Sequence, residues 1–105
     1  MIPINQANIP AKVTIGNTAE SFLSLLDVTL PVYYTATDIN ILNTTIEIYA
    51  EGDVRYTRNP NHTPTTNTGF VIKEGETRIF HGVNPSQLKF FADSDTVLQV
   101  EIGRI

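Results

Sequence analysis

The chain has 105 residues, 41% of them apolar, and eleven acidic against seven basic side chains leave a net charge of −4. A chain of this length forms one domain around one core, burying roughly 60–70% of its extended surface. The charges are spread with no basic run, which disfavours nucleic acid and anionic membranes as partners; the lack of cysteine excludes a disulfide framework, a thiolate nucleophile and a cysteine zinc site.

Twelve Ile, eight Val and fourteen Thr favour extended backbone, because branching at Cβ restricts χ1 in a helix and packs well on a pleated surface. No window approaches the roughly 18 apolar residues of a membrane span. Pro3, Asn5, Gln6 and Asn8 interrupt any apolar leader, so the expectation is a chain made and used without secretion through a signal peptide.

Residues 1–11 contain Pro3 and Pro10 and show no regular period, while Ile2, Ile4 and Ile9 are apolar in an extended segment. The segment reads as an N-terminal arm. Its isoleucines either close one end of their own core or clasp a neighbouring subunit.

Residues 12–15 alternate as a half-buried strand, and Gly16, Asn17 and Thr18 supply a turn. Residues 19–26 (AESFLSLL) are compatible with one or two helical turns or with a strand that points Phe22 inward; their shortness and the strands around them favour strand or irregular structure. Residues 27–34 place Val28, Leu30 and Val32 on one face, and Pro31 makes this an edge or broken strand.

Residues 37–42 and 45–50 carry the clearest alternation. Ile39 and Ile41 share a face in the first; Ile46, Ile48 and Ala50 share one in the second, opposite Glu47 and Tyr49. Asn43 and Thr44 form a tight connection between them. Glu51, Gly52 and Asp53 form a turn into residues 54–58, so the pattern reads as hairpins in succession.

Residues 59–69 (NPNHTPTTNTG) hold two prolines, three asparagines and no large apolar side chain, which describes a long loop that is either mobile or used for contact. Strands resume at residues 70–72, with a polar turn at residues 73–76 in which Gly75 takes positive φ. Residues 77–81, 87–91 and 96–102 complete the set. In the last, Leu98, Val100 and Ile102 face inward.

The predicted fold is all-β: a small antiparallel β-sandwich or jelly-roll-like barrel of about seven to eight short strands. Residues 1–11 form the arm and residues 12–105 the single sandwich domain.

Chemistry-bearing residues are few. His62 lies in the polar loop and His81 at a strand end, with no spacing that brings them together, and no nucleophile elbow, zinc-binding helix or phosphate-cradling glycine loop occurs. Asp93, Ser94 and Asp95 offer too few oxygen ligands for calcium and read as a turn. The expectation is a binding protein with no catalytic residue, cofactor or metal. Outward aromatics, among them Tyr34 and Tyr49, together with His62 in the loop, are the candidate partner-binding residues beside Ile2, Ile4 and Ile9. Tyr33, Tyr56, Phe90 and Phe91 extend the set of aromatics from which a sugar-stacking platform could be built, with one ring of each adjacent pair inward and one outward.

From Thr37 onward the order of features resembles that of small bacteriophage virion accessory proteins. Residues 39–45 (INILNTT) are similar to that group's strand, Asn-Thr turn and next strand. Residues 65–70 (TTNTGF), followed by Ile72 and the Glu74-Gly75-Glu76 turn, resemble its glycine, hydrophobic and Gly-Glu sequence; residues 88–92 and 96–102 resemble its last two strands. The likeness spans about two-thirds of the chain, and residues 19–26 depart from it.

The resemblance implies a head decoration or head fibre protein located in the virion, assembled in the host cytoplasm and without catalytic residues. Its implied partner is the major capsid protein or another virion protein, and self-association as a trimer is compatible with it. A carbohydrate-binding module of a tail or head fibre, with a glycan as ligand, is the alternative.

Overall fold

The computed structural model describes residues 9–29 and 44–104. Within them lie eight strands: β1 (Ile9–Ile15), β2 (Glu20–Ser21), β3 (Thr44–Ala50), β4 (Val54–Thr57), β5 (Phe70–Ile72), β6 (Thr77–His81), β7 (Lys89–Phe91) and β8 (Thr96–Arg104). One helix, α1 (Phe22–Thr29), follows β2, and a 3-10 turn over Pro85–Gln87 precedes β7.

Sheet I has the order β1-β8-β3-β6 and sheet II the order β2-β7-β4-β5. Every pairing is antiparallel, and β1 with β8, β2 with β7, β3 with β6 and β4 with β5 form a nested series. Such nesting is that of a long antiparallel ribbon rolled so that alternate segments fall in opposite layers, which is a jelly roll. The additional pairings of β8 with β3 and of β7 with β4 join the rolled ribbon to itself.

Among the described strands, only β4 and β5 are consecutive in sequence and share a sheet. The turn at residues 51–53 is therefore a crossing from sheet I to sheet II, where a hairpin was expected, and residues 73–76 cross back. These crossings lie side by side. Gly75 N donates to Ala50 O (2.8 Å), Ala50 N to Glu76 O (3.1 Å) and Glu74 N to Asp53 Oδ1 (2.8 Å). Gly75 has φ +83°, the left-handed conformation that a Cβ disfavours.

The expected alternation in β3 and β8 is present. Ile46, Ile48 and Ala50 are buried with Leu98, Val100 and Ile102, and register sets Ile46 opposite Ile102, Ile48 opposite Val100 and Ala50 opposite Leu98. Sheet II contributes Val54, Tyr56, Ile72 and Phe90 to the same core. Burial of these side chains, at about 25 cal/mol per Å² of apolar surface, is the main force holding the layers together.

Residues 19–26 depart from expectation. Glu20–Ser21 is a short strand, but Phe22 begins a helix that continues through Thr29, so Asp27, Val28 and Thr29 belong to a helix and not to an edge strand. Ser21 Oγ accepts a hydrogen bond from Ser24 N (3.2 Å), satisfying one of the donors left open at a helix start. Phe22 and Leu26, four residues apart and hence on one helical face, are both fully buried. The apolar spacing of three and four won over the β-rich surroundings.

Strand β1 begins at Ile9, which pairs with Ile102, followed by Pro10 with Glu101 and Ala11 with Val100. The last three residues assigned to the arm are thus part of sheet I, because pairing with β8 satisfies their backbone. The strand expected over residues 37–42, the Asn43 connection and the rest of the arm lie outside the described residues.

Candidate functional site

Two surfaces stand out, each bordered by an outermost described strand, β6 in sheet I and β5 in sheet II. Among the described residues, Tyr49, Phe70 and Ile79 are the large apolar side chains left exposed, at 44%, 62% and 47%.

The first surface is the outer face of sheet I. Tyr49 on β3 points away from the core because Ile48 and Ala50 on either side point into it. On β6 the directly opposite residue is Thr77, with Ile79 one pair further along opposite Glu47. Tyr49 and Ile79 are therefore diagonal neighbours on one face, within reach of each other's side chains. On the other flank Tyr49 is opposite Gln99, whose amide hydrogen-bonds Glu51 (2.5 Å). Strand β6 is outermost in sheet I, so one row of its backbone groups has no strand partner among the described residues.

Arg78 and Phe80 occupy the inner side of the same strand. Arg78 is opposite Ile48, and its guanidinium spans the gap to sheet II, donating to Tyr56 Oη (2.8 Å) and Val71 O (3.3 Å). An inward-pointing charge on an outermost strand restrains edge-to-edge growth of a sheet, since a flat continuation would have to strip it of these partners.

The second surface surrounds residues 58–69, which connect β4 and β5. The loop is held by its own hydrogen bonds. His62 N donates to Asn59 O (3.0 Å), Asn61 N to Asn59 Oδ1 (2.9 Å) and Thr57 Oγ1 to His62 O (2.7 Å); Thr65 and Thr68 form a bridge. Its tip is tied to the β7–β8 connection by Thr66 Oγ1 donating to Asp93 Oδ1 (2.6 Å), and Arg55 donates to Gly69 O (3.0 Å) at its base. These hydrogen bonds give the segment a defined shape.

At the base of the loop is an open depression lined by Arg58, Asn59, His62, Thr68 and Phe70 among others. Phe70 is opposite Tyr56 and shares its inward side, yet it remains exposed because β5 is the outermost strand of sheet II. Its ring packs on Tyr56 with centroids 5.5 Å apart and planes tilted by 34°.

Of the sequence-nominated residues, Tyr49 lies on the first surface and His62 on the second; they are not brought into one site. Ile9 is in β1, while Ile2, Ile4 and Tyr34 lie outside the described residues. Tyr56 and Phe90 are core residues, 5% and 0% exposed, and are removed from the set of stacking candidates; Phe91 beside Phe90 is half-buried on the opposite face, as the alternation required.

Sequence reasoning missed Ile79 and Phe70. The alternation of residues 77–81 held the signal for Ile79, since an inward Phe80 turns its neighbour outward. For Phe70 no local signal exists, because its exposure follows from strand order.

His62 and His81 are both exposed, and the described residues contain no group of three or more His, Cys, Asp or Glu side chains positioned to hold a metal. Asp93, Ser94 and Asp95 form the β7–β8 connection, where Thr96 Oγ1 donates to Ser94 O (3.1 Å). No family model matches the chain, and no match is found among the curated proteins or the solved structures.

Proposed function

We propose that this chain is a structural accessory protein of a bacteriophage particle, a decoration or cement protein that binds the capsid lattice and stabilises it. The observation that carries the reading is the outer face of sheet I, where Tyr49 and Ile79 stand exposed beside an outermost strand. A tyrosine brings large contact area with a polar end, which suits a surface that is wet when free and covered when bound.

Jelly rolls recur in viral capsid and lectin domains, which agrees with the resemblance of residues 39–45, 65–76 and 88–102 to virion proteins. A fold hosts many functions, so the surface carries more weight than the topology. The partner in this reading is the major capsid protein. Contacts repeated over a lattice make modest individual affinity sufficient, because each bound copy bridges neighbouring capsomers. Self-association into a trimer would add contacts of the same kind.

The test mixes the purified protein with empty heads assembled without it, measuring copies bound per head and the temperature at which heads rupture. Saturable binding at a fixed ratio to the capsid subunit, with raised rupture temperature, is the expected result. Heads that neither take up the protein nor change in heat resistance would overturn it.

A further inference from the structure

We propose that the depression floored by Phe70 and walled by Arg58, Asn59, His62 and Thr68 is a binding site for an acidic saccharide. The proposal stands apart from the capsid reading and concerns a different face of the molecule.

Phe70 supplies the first element. The residue is 62% exposed, yet its ring packs against Tyr56, which is itself bound by the Arg78 guanidinium at its hydroxyl and met edge-on by Phe80 (5.1 Å, 86°). Gly69 leads the chain into Phe70 with φ +113°, and a Cβ there would lie 2.9 Å from Tyr56 O, so the backbone approach that sets the ring tolerates only glycine. A ring fixed before binding loses little entropy when a flat ligand stacks on it.

The walls supply the second. The hydrogen bonds within residues 57–62 fix the backbone that carries Arg58 and His62, so both side chains are presented from a rigid support. Among the described residues, neither the Arg58 guanidinium nor the His62 imidazole engages a protein partner.

Charge supplies the third. Acidic residues outnumber basic ones eleven to seven in the chain, yet among the described residues no Asp or Glu lines this depression. An anion entering it meets Arg58, whose planar fork pairs with a carboxylate through two parallel hydrogen bonds.

One apolar ring encircled by hydroxyl, amide, imidazole and guanidinium groups matches a pyranose bearing a carboxylate. Such a sugar offers a C–H face for stacking, a rim of hydroxyls for Asn59 and Thr68, and an acid group for Arg58. An acidic peptide would use Arg58 and leave the ring face without a counterpart.

The experiment applies the full chain to an array of uronic and sialic acid glycans, neutral glycans and a polyglutamate peptide. Galacturonate trimer and its methyl ester, which share the sugar backbone but carry carboxylates in one and neutral esters in the other, are then titrated while backbone amide shifts are followed. Retention confined to acidic glycans is expected, with shifts at residues 58–70 for the trimer only. Phe70→Ala and Arg58→Ala should each weaken binding about tenfold or more, whereas Phe70→Tyr preserves it; exposure of both side chains keeps these variants folded. No retained acidic glycan, equal retention of neutral ones, retention of polyglutamate alone, or affinity indifferent to Phe70→Ala would overturn the proposal. None of these outcomes bears on uptake by phage heads, so the two readings fail separately.

Discussion

Arg78 on the outermost strand of sheet I donates a 2.8 Å hydrogen bond to the Tyr56 hydroxyl on sheet II, and its guanidinium carbon lies 5.7 Å from the centre of the same ring. One side chain thus ties the two layers of the sandwich at the side where β5 and β6 end them. The tyrosine is buried, so its hydroxyl depends on this donor.

Removing the hydroxyl tests the tie. Tyr56→Phe should cost about 1–2 kcal/mol, since a charged donor loses an acceptor but keeps Val71 O. Arg78→Ala should cost more, because it leaves a buried hydroxyl without a donor and strips the packed stem. Urea denaturation of both variants measures the difference, and a Tyr56→Phe protein as stable as the parent would show the tie to be energetically idle.

Gly69 and Gly75 both have positive φ but differ in surroundings. A Cβ on Gly69 meets the Tyr56 carbonyl oxygen, whereas one on Gly75 meets nothing within 4 Å. Gly75→Ala should lose about 1 kcal/mol from backbone conformation alone, and Gly69→Ala about 2–3 kcal/mol with the steric conflict added. Thermal unfolding in which Gly75→Ala is the more damaging change would contradict this geometry.

Helix α1 rests on its cap. Ser21→Ala should lower stability by about 1 kcal/mol, and exchange of the Ser24 amide, which donates to Ser21 Oγ at 3.2 Å, should quicken more than that of the strand amides. Hydrogen exchange followed residue by residue checks both.

Adjacent residues of β3 should behave oppositely. Ile48 is fully buried, so Ile48→Ala should cost about 2–5 kcal/mol. Tyr49→Ala should stay within about 0.5 kcal/mol of the parent, while reducing occupancy on phage heads, as should Ile79→Asp. Calorimetry on the free protein and copy counting on heads separate the two effects; undiminished occupancy for both surface variants would move the contact away from this face.

Much of the strand content was legible in the sequence because alternation is a local rule. A side chain's face in β3 or β8 follows from its neighbours, so Ile46, Ile48, Leu98 and Val100 could be assigned inward, and Tyr49 outward, without knowing any pairing partner. The same rule applies in β6, where Phe80 turns Ile79 out. Punctuation by residue type was equally local: Gly75 marks its turn because only glycine takes its φ without strain.

Pairing is not local, and tertiary structure alone decided it. Nothing in residues 51–53 distinguishes a hairpin from a crossing between sheets; the choice depends on Ala50 meeting Glu76 and Gly75 across the end of the sandwich. Whether an aromatic residue is buried depends on how many strands lie beyond it. Tyr56, with β5 and β7 on either side, is core, while Phe70, opposite it on the outermost strand, is exposed and faces the candidate site. Sequence by itself determined which faces of the strands are apolar, through chemistry that acts over two or three residues. Only the folded arrangement decided which of those faces another layer covers, because that depends on contacts between segments far apart in the chain.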